Sequence, residues 1–191
     1  MRTRRAILQT LASIAAVSVA NKRASAALAE DGKTWCLQEY LHFDRLMAPW
    51  VVQRFIDQNA KFTFAAKIEE IPKGAIALGF KSGEFSQLDA NGTCFHKLVV
   101  KYKLLDDPAI AVMDRLNGQA VRWYLQNEPI DVNDRYARWG FGLFGLADAI
   151  QRRARREHWS HQEILDHGVP LFDMLYDQVV FELEKAAGKK S

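Results

Sequence analysis

From Phe43 to Asp57 apolar residues return every three or four positions, at Leu46, Met47, Trp50, Val51 and Phe55. This spacing predicts a helix, with Pro49 tolerated near its first turns. Lys61 to Ala65 alternates instead and predicts a strand, and short strands are expected at Ile76 to Phe80 and at Glu84-Phe85. The pattern turns helical again from Thr93 to Tyr102. Asp106-Asp107-Pro108 then supplies an N-cap followed by proline at the first helical position, for a helix through Leu116. Beyond it the chain reads as almost all helix. Tyr136 to Arg156 is periodic but carries Gly140, Gly142 and Gly145, so either a loop precedes the helix or the glycines allow close packing. Ser160-His161-Gln162-Glu163 is a capping box, and Gly168-Val169-Pro170 is expected to divide a short helix from a long one ending near Lys185. Phe172, Leu175, Tyr176, Val179, Val180 and Leu183 make the buried stripe of that last helix. The expected fold is α+β and predominantly helical: a single domain with a small sheet near the N-terminal half and a C-terminal helical bundle.

Residues 1–29 follow a different pattern. Arg2, Arg4 and Arg5 precede an apolar stretch from Ala6 to Ala20, then come Asn21-Lys22-Arg23 and the small residues Ala27-Leu28-Ala29. Basic start, apolar middle and A-x-A end predict a twin-arginine export signal, with residues 30–191 as the working domain. The stretch is interrupted by Gln9, Thr10, Ser13 and Ser18, so no permanent membrane anchor is expected, since a spanning helix needs about 20 predominantly apolar residues. The expected location is the periplasm, with the twin-arginine translocase as partner during export. The full chain has 26 basic and 23 acidic residues; without Arg2, Arg4, Arg5, Lys22 and Arg23 it has 21 basic and the same 23 acidic. The positive charge therefore belongs to the signal, and no nucleic-acid partner is expected of the domain.

Imidazole and thiolate are the side chains that bind transition metals and exchange protons near neutral pH, so the five histidines and two cysteines are the first candidates for chemistry. H-E-x-x-H, C-x-x-C, G-x-S-x-G and glycine-rich phosphate loops are all missing from the sequence. Two local pairs remain, His42-Phe43-Asp44 and Cys94-Phe95-His96, and together they form a candidate metal set of His42, Asp44, Cys94 and His96. A cysteine at a helix N-terminus is expected to have a lowered pKa, favouring thiolate. The alternative is capping, packing and surface roles for all four. His158, His161 and His167 flank a helix junction and read as mostly exposed. Arg152, Arg153, Arg155 and Arg156 suit the last turns of a helix through its dipole. Cys36 and Cys94 could bridge in an oxidising compartment or stay as two separate thiols.

Four segments, in order, resemble the chromate resistance exported protein family. His42-Phe43-Asp44-Arg45 with Trp50 to Asp57 is similar to its H-x-D-R and W-[LV]-[IV]-x-R-F-I-D, and Ala60 to Phe64 to the strand that follows. Cys94 stands at a helix-opening cysteine, and Leu105-Asp106-Asp107-Pro108-Ala109 matches L-D-D-P-A. Gly168 to Tyr176 is similar to G-x-P-[VL]-[YF]-D-A-L-Y. The resemblance covers about residues 40 to 180 and implies a role in chromate resistance, in a family found both as exported single domains and as the C-terminal part of chromate-response regulators. The family's F-S-H-x-G-x-x-C-T-F-E departs here: Gln87 replaces the histidine and Lys97 the glutamate.

The reading is therefore an exported chromate-resistance-type protein that binds a transition metal ion or a small oxyanion, with Arg45 and Arg54 as candidate oxyanion holders. Binding outranks catalysis. Two alternatives stand beside it: a structural or interaction domain that has lost the site, which Gln87 and Lys97 favour, and a metal-dependent redox enzyme.

Overall fold

Trp35, Cys36 and Leu37 are all buried in strand β1 (Thr34–Gln38), the centre of a three-stranded parallel sheet of order β2-β1-β3. Cys36 lies opposite Thr63 of β2 (Lys61–Ala65) and Ala77 of β3 (Ile76–Leu78). The sequence reading did not anticipate β1, because a parallel strand covered on both faces is a short apolar run without alternation. The computed structural model describes residues 30–131, 133–134 and 136–188, so the predicted export signal lies outside the described residues.

Parallel neighbours need a crossover, and the first is helix α1 (Phe43–Val51). Pro49 lies inside it without a backbone donor, and the helix widens directly into a π-helical turn, Val52–Ile56. Asp57 ends the turn and ties it back to the sheet. Its carboxylate accepts from the N–H groups of Gly32 (2.8 Å), Lys33 (2.9 Å) and Asn59 (3.2 Å) and from Trp35 Nε1 (3.1 Å). Burial pushes the Asp57 carboxyl up, but these four donors outweigh it and hold it below its ordinary value. β3 stops at Leu78, where Gly79 turns the chain with φ +76°. The strand expected at Glu84-Phe85 reduces to an isolated bridge between Phe85 and Leu78.

Four further α-helices follow among the described residues: α2 (Cys94–Lys101), α3 (Pro108–Gln126), α4 (Ala137–Glu157) and α5 (His161–Ala186). Asp107 caps α3 as expected, accepting from Ala109 N–H at 2.8 Å, and α3 runs on past Leu116 to Gln126. The Ser160 capping box opens α5, Glu163 N–H donating to Ser160 Oγ at 3.2 Å and Ser160 N–H to Glu163 Oε2 at 2.7 Å.

The expected break at Gly168-Val169-Pro170 is absent, and α5 runs through it. Gly168 marks a close contact: a Cβ on it would lie 2.7 Å from a Leu46 methyl, so any larger residue would force Leu46 to shift where α5 meets α1. In α4 Gly140 packs on Leu116, while Gly142 and Gly145 meet nothing within 4 Å. Trp35, Trp50, Phe43, Phe85, Phe95 and Phe172 are the large, fully buried rings of a core shared by sheet and helices. Both cysteines are buried and free, so the pair is two separate thiols. Among the described residues no helix is long and apolar enough to cross a membrane.

Candidate functional site at the carboxyl edge of the sheet

In an open parallel sheet of order 2-1-3, the crevice at the carboxyl ends of the first and third strands is where ligands usually bind, because successive crossovers leave it uncovered. Arg45 fills that crevice here. Its Nε donates to Gly79 O just beyond β3 (3.2 Å), Nη1 to Tyr40 O just beyond β1 (3.0 Å), and Nη2 to Gln87 Oε1 (3.1 Å). The fit depends on Gly79, since a Cβ there would come within 3.0–3.2 Å of the Arg45 side chain.

Asp44 points the other way, into the core. Its carboxylate accepts from the N–H groups of Cys94 (3.3 Å) and Phe95 (3.2 Å), the first residues of α2. A helix N-terminus attracts anions, and here the protein supplies its own. Burial raises the Asp44 carboxyl pKa, while hydrogen bonds from Phe95, Asn117 and Cys94 and the charge of Arg45 act against the rise. The Cys94 thiol is fully buried. Burial, with the Asp44 carboxylate beside it, pushes it well above its ordinary value, which corrects the expected low-pKa thiolate. Desolvation and a like charge outweigh the helix terminus.

Lys97 lies one turn along α2, its side chain only 10% exposed. Its Nζ meets Asp89 Oδ2 (2.7 Å), Ser86 Oγ (2.8 Å), Ser86 O (3.2 Å) and Gln87 O (3.2 Å). Gln87 therefore links two cations, Arg45 through its side chain and Lys97 through its carbonyl.

The other candidates lie apart. His42 is sandwiched between Tyr40 (5.8 Å) and Tyr124 (5.6 Å), with Phe144 edge-on at 4.5 Å. His96 turns to α3, where Nδ1 faces Asp114 Oδ2 at 2.8 Å. Asp44 and Cys94 are thus neighbours while His42 and His96 each have separate surroundings, and among the described residues no group of three or more His, Cys, Asp or Glu could hold a metal. Arg54, in the π-helical turn, pairs with Asp173 and with Asp177 (3.2 Å) and lies 4.4 Å over the Tyr176 ring. It borders a shallow cleft of about 500 Å³ lined also by Trp50, Gln53 and Val169. Sequence reasoning overlooked Asp89, Asp114 and Gly79; a glycine just after β3, a lone acid in a loop and another within α3 give no signal until the chain is folded.

The sequence profile of the ChrB C-terminal domain matches residues 35–179, spanning the sheet and every element described around Arg45. The chain belongs to the ChrB C-terminal domain family. This is the chromate-resistance family that the four ordered segments resemble. Protein ChrB of Cupriavidus metallidurans (strain ATCC 43123 / DSM 2839 / NBRC 102507 / CH34) is 25% identical over 85 residues, 44% of this chain and 26% of that protein. The chain thus spans about a quarter of that relative's length. No solved structure matches. Within this ChrB C-terminal domain, Gln87 and Lys97 are both tied to neighbouring polar groups of the same centre, Gln87 to Arg45 and Lys97 to Asp89.

Proposed function

We propose that this chain is an exported chromate-resistance domain acting in the periplasm without catalysis, its ligand crevice closed by the protein's own charged groups. The observation that carries this is the set of partners in the crevice. Arg45 is held by three oxygens, Lys97 by four, Asp44 by the start of α2, and the Cys94 thiol is buried in its neutral form. An incoming metal would have to displace Lys97 and deprotonate Cys94 against its raised pKa. An incoming oxyanion would have to pull Arg45 off Gly79, Tyr40 and Gln87. Each rearrangement leaves polar groups without their present partners, at about 1–3 kcal/mol for each one that is buried. The reading favours an interaction domain over an ion carrier or a redox enzyme. Export is supported by the layout of residues 1–29 and by the mildly acidic charge that remains without them.

The test is elemental analysis of the protein recovered from the periplasm, together with growth on chromate with and without the gene. The expected results are no transition metal above background and a lower tolerance when the gene is removed. Stoichiometric metal that disappears in Cys94→Ala would overturn the closed crevice, and unchanged tolerance would remove the chromate role.

A further inference from the structure

An ammonium group has three protons to donate, and the Lys97 ammonium has four oxygens around it. One proton at least is therefore shared between two oxygens, and the ammonium is surrounded by oxygens on several sides. The four are of the kinds that bind hard cations: two main-chain carbonyls, a hydroxyl and a carboxylate. The ammonium–oxygen distances, 2.7 to 3.2 Å, are ordinary hydrogen-bond lengths, so the space is sized for an ion of ammonium's radius; potassium is of that size, whereas calcium at about 2.3–2.6 Å and magnesium at about 2.0–2.1 Å need their oxygens closer.

The cradle is also built without help from Lys97. Gln87 N–H donates to Phe80 O at 2.8 Å, Asp89 and Gly92 exchange backbone hydrogen bonds at 3.2 and 3.1 Å, and Gly92 turns the chain at φ +106°. Ser86 Oγ donates to Asp89 Oδ2 at 2.8 Å, which leaves its lone pairs for a cation. The Asp89 carboxyl, held at about 2 chiefly by its bond to Lys97, gives the loop the single negative charge that one monovalent cation balances.

We propose that the loop from Ser86 to Asp89 is a monovalent-cation site whose resident occupant is the Lys97 ammonium, and that potassium takes this place when the ammonium is removed. The proposal rests on the reading of the crevice as closed by internal charges, and it specifies how one of them is held. Lys97→Ala keeps α2 intact, since alanine is the best helix former, and opens both the ion position and a path to it.

The experiment is thermal unfolding of the full chain carrying Lys97→Ala, in potassium chloride against tetramethylammonium chloride at equal ionic strength. Expected is a saturable rise in Tm in potassium, about 3–5 °C at ten times the apparent dissociation constant, with no such difference in the parent protein. Lys97→Met, which fills the stem's path, should not respond, and adding Asp89→Asn to Lys97→Ala should abolish the response. Equal Tm in the two salts for Lys97→Ala overturns the proposal, as does a potassium response that survives Asp89→Asn. So does failure of Lys97→Ala to fold in either salt while Lys97→Met folds in both. A transition metal bound to the parent protein would sink the closed-crevice reading and leave this comparison of salts unaffected.

Discussion

Arg45 and Arg54 stand on one continuous run of helix and look alike in sequence, each beside apolar residues and each a candidate for holding an anion, yet the fold uses them in opposite ways. Arg45 is turned into the sheet edge, where it meets two main-chain carbonyls and one amide oxygen, with the Asp44 charge as its electrostatic partner. Burial lowers its pKa, and the neighbouring negative groups work against the drop. Arg54 is turned out over Tyr176, a third exposed, with Asp173 and Asp177 competing for it. The lesson concerns depth. Where the surroundings fix its partners, a guanidinium's loss is felt by each of them. At the surface the same group is replaceable.

The largest effect should come from removing the buried countercharge. Asp44→Ala strips two N–H groups of α2 of their acceptor and removes the nearby charge that favours the Arg45 cation, so urea unfolding should show a loss of about 2–5 kcal/mol. A loss under about 1 kcal/mol would mean the two regions do not differ in kind. Arg45→Ala should cost about 2–3 kcal/mol by orphaning Gly79 O and Gln87 Oε1, and Arg45→Lys should recover little, because one ammonium cannot reach three separated oxygens.

His42 sharpens the comparison through pH. Burial among Tyr40, Tyr124 and Phe144 lowers its pKa, with Arg45 adding to the effect and Asp148 opposing it. The folded protein then binds this proton less readily than the unfolded chain, so the unfolded state gains it first as pH falls. The His42 contribution to stability should be constant above about pH 6.5 and decline below it, and His42→Phe should flatten that part of the urea-midpoint profile between pH 5 and 8. The smallest effect belongs to Arg54→Ala. It should cost about 1 kcal/mol, and the difference from the parent should shrink in 0.5 M salt.

Local signals carried most of the helical half. The capping box at Ser160, the Asp107-Pro108 start and the three-and-four spacing of Leu46, Met47 and Trp50 are short-range devices, and each appears where its residues stand. The failures share a cause, which is contact with something distant in sequence. β1 is hidden because both of its faces are covered. Gly168 reads as a helix breaker and is in truth the point at which α1 and α5 touch. The same applies to the candidate site. Spacing could nominate His42, Asp44, Cys94 and His96, but could not show that one imidazole would be stacked among tyrosines and the other drawn to Asp114. Gln87 and Lys97 stand out in the sequence only as departures from the resemblance, and their contacts appear only once Asp89 is folded back to the Lys97 ammonium.

The two unbridged thiols bear on when this protein is finished. Cys36 lies in the central strand and Cys94 at the first turn of α2, both sealed from solvent. Nothing in the fold waits for an oxidant. If the chain is exported as proposed, it can fold in a reducing cytoplasm and reach an oxidising compartment with no disulfide left to form. A translocase that carries folded cargo, the route proposed for this chain, requires that kind of maturation.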